Sequence, residues 1–173
     1  MGMSFTVGGA KSTFEATDAA EVAEALDQAF GAEGEWEGVP SRHFGGTEDI
    51  NWDEFQERAV AELGADMLSN LLAMGPLGRG VYLPANVQAV SLPLACGDPL
   101  SCASLPGLRR ELGLLAERWD LPWDDEGLRD LLRVGQDPDD GPVADLPEVL
   151  TFARLALAAN EAVRRDCPLW VLG

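Results

Sequence analysis

Residues 145–172 read DLPEVLTFARLALAANEAVRRDCPLWVL, and this stretch decides the class of fold. Asp145 and Glu148 stand at capping-box spacing, in which two side chains satisfy backbone N–H groups that the first turn of a helix leaves unpaired. Val149, Phe152, Ala156, Ala159 and Val163 then recur at helical spacing and form one apolar stripe. Arg164 and Arg165 fall in the last turn, where the helix dipole favours a cation. After Pro168 comes Leu169-Trp170-Val171-Leu172, a short unbroken apolar run that reads as a strand buried in a sheet.

Working back along the chain, Ser104 caps a helix in which Leu108, Leu112, Leu115 and Trp119 share a face. Leu108, Leu112, Leu115, Phe152, Ala156, Val163, Trp170 and Leu172 are therefore expected in one core. Pro122 ends that helix, Asp124 caps a short one through Leu128, Leu131 and Leu132, and residues 135–142 form a polar turn. Residues 96–102 read as a turn, and Val81–Leu83 and Val87–Leu92 as short strands around Pro84. A helix from Asn51 carries Trp52, Phe55, Ala59 and Leu63, and continues or restarts after Gly64 with Met67, Leu68, Leu71 and Leu72. Towards the N-terminus, Ser4–Val7 is a strand, and Asp18 with Glu21 opens an amphipathic helix carrying Val22, Leu26, Ala29 and Phe30. Between these lie residues 31–49, rich in glycine, glutamate and proline and without periodicity, a surface loop. Helices interspersed with a few short strands, without regular βα alternation, make residues 1–173 a single α+β domain rather than a doubly wound sheet.

Composition narrows the function. The 173 residues are 46% apolar and 24% charged, the proportions of a globular chain. Thirty acidic residues against twelve basic ones give a formal charge of −18, which disfavours nucleic acid and anionic membranes as partners. No secretory leader and no apolar run of membrane-spanning length is present, and three cysteines suit a reducing compartment better than a disulfide framework, so a cytoplasmic location is expected.

Four motifs bear on chemistry. Gly8-Gly9-Ala10-Lys11-Ser12-Thr13 follows a strand but lacks the first glycine of a phosphate loop and has alanine before the lysine, so a glycine turn is the better reading. Asp137, Asp139, Asp145 and Glu148 stand at positions 1, 3, 9 and 12 of a calcium loop, but Gly141 and Pro142 occupy positions that need an oxygen ligand and a glycine. His43 has no second histidine or cysteine beside it and reads as an exposed loop residue, while Cys96 and Cys102 are too far apart for a C-x-x-C knuckle. No metal, cofactor or catalytic residue is therefore assigned.

Charge is uneven: residues 1–70 hold 15 acidic and 3 basic residues, net −12, against net −6 for the remainder. Glu33, Glu35, Glu37, Glu48, Asp49, Asp53 and Glu54, interleaved with Trp36, Phe44 and Trp52, combine steering charge with aromatic anchors. Glu35, Trp36, Glu37, Phe44, Asp49, Trp52 and Asp53 are accordingly the candidate residues for binding a basic protein partner. Trp119 and Trp123, followed by Asp124-Asp125-Glu126, form a second aromatic and acidic cluster.

The opening Met1-Gly2-Met3, the Asp49-Ile50-Asn51-Trp52-Asp53 segment, the Gly80–Pro84 to Val90 stretch and the terminal Leu169–Gly173 together resemble the YfbM-like family of uncharacterised bacterial α+β proteins. They are more loosely similar to the small acidic immunity proteins of bacterial toxin systems. Residues 4–48 and 95–145 lie outside the resemblance, and Gln56 stands near where that family would place a histidine. The resemblance implies no catalytic residues and points by analogy to binding. The resulting expectation is an acidic cytoplasmic bacterial protein-binding domain of immunity or antitoxin type. Its alternative is a small enzyme or ligand-binding domain whose site assembles only in the fold.

Overall fold

The computed structural model describes residues 2–31, 36, 38–75, 78–95, 97–135 and 146–173, the side chain of Leu146 apart. In chain order these form β1 (Gly2–Val7), α1 (Ala10–Thr13), α2 (Ala16–Phe30), β2 (Arg42–Glu48) and α3 (Asp49–Leu63). Two 3-10 turns (Ala65–Met67 and Leu71–Ala73) lead to β3 (Arg79–Leu83), β4 (Val90–Leu92) and β5 (Leu100–Ser104). Helices α4 (Leu105–Trp119), α5 (Asp125–Val134) and α6 (Leu146–Arg165) precede β6 (Leu169–Leu172). The six strands lie in the order β2-β1-β6-β3-β5-β4, antiparallel except for the parallel β3–β5 pair. The chain is thus an α+β domain with a mixed sheet, and its last strand sits in the middle of that sheet.

That position explains the apolar run. Both edges of β6 are paired, Trp170 with Thr6 and Val81 and Val171 with Phe5 and Gly80, and Trp170 and Val171, on opposite faces, are both buried. Phe5 points to the face packed by α3 and α6, with its ring 5.9 Å from that of Trp52. Trp170 points to the other face, where Phe14 meets it edge-on at 5.0 Å and its indole N–H donates to the carbonyl of Gly8 at 2.8 Å. Helices α1 and α2 cover this second face, Val22 and Leu26 being buried. The sheet is a middle layer because successive side chains of one strand must each find a core.

Local signals hold where the side chain is free to act on its own turn. Ser104 accepts from the N–H of Gly107 and Asp124 from that of Gly127, so both caps form. Donation from the Gly127 N–H also holds the Asp124 carboxyl below its ordinary range. Leu108, Leu112, Leu115, Phe152, Ala156 and Trp170 are buried in one core, with partly buried Leu172 packed against it.

Other expectations need correction. Residues 42–49 are not loop: 42–48 form β2 and Asp49 begins α3. This edge strand escapes sequence patterning because only Thr47 in it is buried and its register on β1 is broken by a bulge between Ser4 and Thr6, where Gly45 adopts φ +87°. The 96–102 turn gives way to β5 from Leu100, whose Ser-Cys-Ala residues carry little strand propensity but are held between β3 and β4. Only Val90–Leu92 of the expected 87–92 strand pairs. Past Gly64 the helix gives way to the two 3-10 turns, with Met67 exposed.

Asp18 and Glu21 do not cap α2, which starts after Glu15 with no side-chain cap. Instead Asp18 pairs with Arg79 at 2.7 Å and Glu21 accepts from the backbone N–H of Ala95, tying the helix to the sheet and its following loop. Val163 is 39% exposed, outside the core, although it stands one turn from the buried Ala159: at this end of α6 the stripe opens onto a surface cleft beside Trp123. Asp145, and with it the box preceding α6, lies outside the described residues, as do Asp137, Asp139 and Cys96.

Candidate functional site

Of the acidic residues expected at the surface, Glu48, Asp53 and Glu54 are exposed in the fold, whereas the tryptophans expected beside them are buried. Trp52 and Phe55 face inward from α3, Trp52 being wholly buried with its indole N–H donating to the carbonyl of Met74 at 3.2 Å. Trp36 is 8% exposed and forms one wall of an apolar pocket of about 320 Å³ with Trp170, Leu26 and the alanines of α2. Phe44 is half-buried beneath the guanidinium of Arg42, 5.1 Å from its ring centre. Trp36 and Trp52 are therefore core residues and not anchors for a partner. Their spacing in the sequence could not distinguish the two roles, since a stripe that faces the core and one that faces a partner have the same period. Glu33, Glu35 and Glu37 lie outside the described residues.

What remains outward on α3 is a row of carboxylates ending in apolar groups. Asp53, Glu54 and Glu57 are exposed and enter no ion pair among the described residues, whereas Glu62, one turn on, is held by Arg118 at 3.0 Å. Ile50, 61% exposed, precedes the row, and Met67, 53% exposed, follows it. Sequence reading missed these two apolar groups; Ile50 falls off the Trp52–Phe55–Ala59 stripe, which was the available signal. Asp53 and Glu57 also flank a shallow groove whose floor is Val60 and Leu72.

At the N-terminal end of α3 an open cleft of about 1100 Å³ separates it from α6. Thr47, Glu48, Asp49 and Asn51 line one side, and Leu150 and Arg154 the other. The β2–α6 contact beneath is fixed by the buried pair Thr47 Oγ1···Thr151 Oγ1 at 2.8 Å. Asp49 Oδ1 is buried there without a hydrogen-bond donor. A carboxylate oxygen withdrawn from water and left without a donor is unfavourable, and a cation brought beside the same carboxylate from the cleft offsets part of that cost.

The remaining candidates are accounted for locally. The N–H of Gly8 donates to Pro168 and that of Gly9 to Val39, while the hydroxyls of Ser12 and Thr13 both donate to the carbonyl of Gly9. The donors a phosphate loop would need are thus spent on the protein's own backbone. His43 is exposed on β2 rather than in a loop, its Nδ1 3.4 Å from Thr6 Oγ1. Burial pushes the Cys102 thiol up to about 12 and raises that of Cys167, which keeps both in the unreactive protonated form. Trp119 and Trp123 pack on Phe152. Among the described residues no group of three or more His, Cys, Asp or Glu is placed to hold a metal ion, and no helix is long and apolar enough to cross a membrane.

Comparison of the chain with protein families, with curated proteins and with solved structures gives no match.

Proposed function

We propose that this is an acidic protein-binding domain whose α3 face, from Asp49 to Glu57, receives a basic surface of a protein partner. The observation that carries the reading is Asp49, which lines a cleft large enough for an arginine or lysine side chain and whose Oδ1 has no hydrogen-bond donor. Asp53, Glu54 and Glu57 supply unneutralised charge along the approach, and Ile50 supplies an exposed apolar contact beside the cleft. Charge of this kind raises the encounter rate, and the desolvated contact sets how long the complex lasts. Arg154 on the opposite wall opposes a bare cation and favours a partner that brings its own carboxylate or carbonyl beside its basic group. Inhibition of a basic toxin by occlusion, the work of immunity and antitoxin proteins, is the biological setting that this surface and the sequence resemblance both suit.

The test is affinity capture from a lysate of the encoding organism on the immobilised parent and on the Asp53→Lys/Glu54→Lys/Glu57→Lys variant. The expected result is a basic protein held by the parent, released by salt and not held by the variant. The same proteins on both surfaces would overturn the assignment of α3.

A further inference from the structure

Two adjacent arginines on α4, Arg109 and Arg110, line one cleft without a carboxylate partner; Arg154 and Arg165 likewise enter no ion pair among the described residues, but they lie elsewhere. Carboxylates take up Arg42, Arg79, Arg118, Arg129, Arg133 and Arg164 in ion pairs. Arg109 and Arg110 enter none among the described residues, in a chain with 30 acidic side chains. Two carboxylates of this part of the fold, Asp125 and Glu161, are engaged by other groups. Asp125 is held by Arg164 at 2.5 Å and by Asn160 at 3.1 Å, and Glu161 by Arg42 and Arg164.

Both arginines line a cleft of about 510 Å³ with Trp123, Asn86, Pro106 and Val163. The Arg109 guanidinium lies 5.7 Å from the centre of the Trp123 ring, and its Nε is buried without an acceptor. Val163, 39% exposed on α6, gives the cleft an apolar wall. The buried Nε is out of a ligand's reach, but an oxyanion entering the cleft can take charge-assisted bonds from the guanidinium groups of the two arginines that line it.

We propose that this cleft binds a small organic oxyanion, a carboxylate or phosphate carried on a flat apolar body. Arg109 and Arg110 take the oxyanion, and the body lies against Pro106, Val163 and the edge of Trp123. The size of the ligand follows from the charge of the whole. A formal −18 repels acidic proteins and nucleic acids, whose many charges feel the long-range field, while a single anion pays that repulsion once and recovers it in short-range contacts. The site is independent of the acidic α3 face.

The experiment is a titration of the ¹⁵N-labelled full chain, followed through the Trp123 indole N–H and the backbone amides of Arg109–Gly113. The probes are phenyl phosphate, benzoate and neutral benzyl alcohol. Saturable shifts at these positions with phenyl phosphate or benzoate, and not with benzyl alcohol, are expected; which of the two binds tells phosphate from carboxylate. Arg110→Gln, an exposed substitution that leaves the core untouched, should weaken binding at least about tenfold, and Trp123→Phe should weaken it less. No saturable shift up to about 10 mM of either anion, equal binding by Arg110→Gln, or equal binding of benzyl alcohol would each overturn the proposal.

Discussion

Glu111 Oε1 accepts two hydrogen bonds from Asn70, from its backbone N–H at 2.9 Å and its Nδ2 at 2.7 Å, while Oε2 accepts from the N–H of Leu71 at 2.7 Å. One buried carboxylate thereby caps the 3-10 turn Leu71–Ala73 from the middle of α4. Asn70 extends the network, its Oδ1 accepting from the N–H of Ser104 and its carbonyl from the hydroxyl of Tyr82. Gly107 is required beside it, since a Cβ there would stand 2.3 Å from Asn70 Nδ2. Because Gln56 of α3 donates to the carbonyls of Leu71 and Met74, the network also seats the helix that carries the acidic face.

Replacing Glu111 by leucine leaves those three donors buried without an acceptor and should destabilise the fold by about 3 kcal/mol or more. Glu111→Gln keeps an acceptor oxygen and should cost less. Urea unfolding measures both. A Glu111→Leu midpoint equal to the parent's would show that the network is not structural.

Tyr82 provides a pH test, because it is the chain's one tyrosine. Burial, and to a lesser degree the charge of Glu111, raise its phenol well above the ordinary 10.0. The folded state therefore keeps a proton that the unfolded state loses near pH 10, so the phenol does not weaken the fold below that pH and lowers stability as pH rises above it. Absorbance at 295 nm should stay flat through pH 10 and rise only together with loss of far-ultraviolet circular dichroism. Reversible ionisation near pH 10 in a protein with unchanged dichroism would contradict the burial of the hydroxyl.

Leu112 and Val163 separate core from surface. Leu112 is fully buried, and Leu112→Ala should cost about 2–5 kcal/mol, whereas Val163→Ala, at a site 39% exposed, should cost about 1 kcal/mol or less. Denaturant midpoints of the two variants check the contrast. Equal losses would place α6 in a different rotation.

These two positions also show how far the sequence could be read. The helical stripes were legible because one face of each helix carries all its large apolar groups, and β6 because a central strand must be apolar on both faces. Val163 was not, since a twenty-residue helix contacts its neighbours along only part of its stripe. Edge strand β2 and short strand β5 were illegible for a different reason: glycine, serine and cysteine are strand residues there only because β1 and β3 offer them partners. At the candidate surface, the acidic residues could be read from composition, but whether a tryptophan faces inward or outward depends on the rotation of α3, which only packing decides. The Asp49 cleft required β2, α3 and α6 together and left no local signal.

The account's central claim is that the α3 carboxylates steer a basic partner and that Asp49 holds it. The most direct measurement is the association and dissociation rate of the partner captured on the parent protein, at low and at physiological ionic strength, for the parent, Asp49→Asn and the Asp53→Lys/Glu54→Lys/Glu57→Lys variant. The predicted result is an association rate that falls with salt and falls again on charge reversal, with faster dissociation from Asp49→Asn, while the unfolding free energy of Asp49→Asn changes by about 1 kcal/mol or less. An association rate indifferent to both salt and charge reversal, with dissociation unchanged in Asp49→Asn, would contradict it.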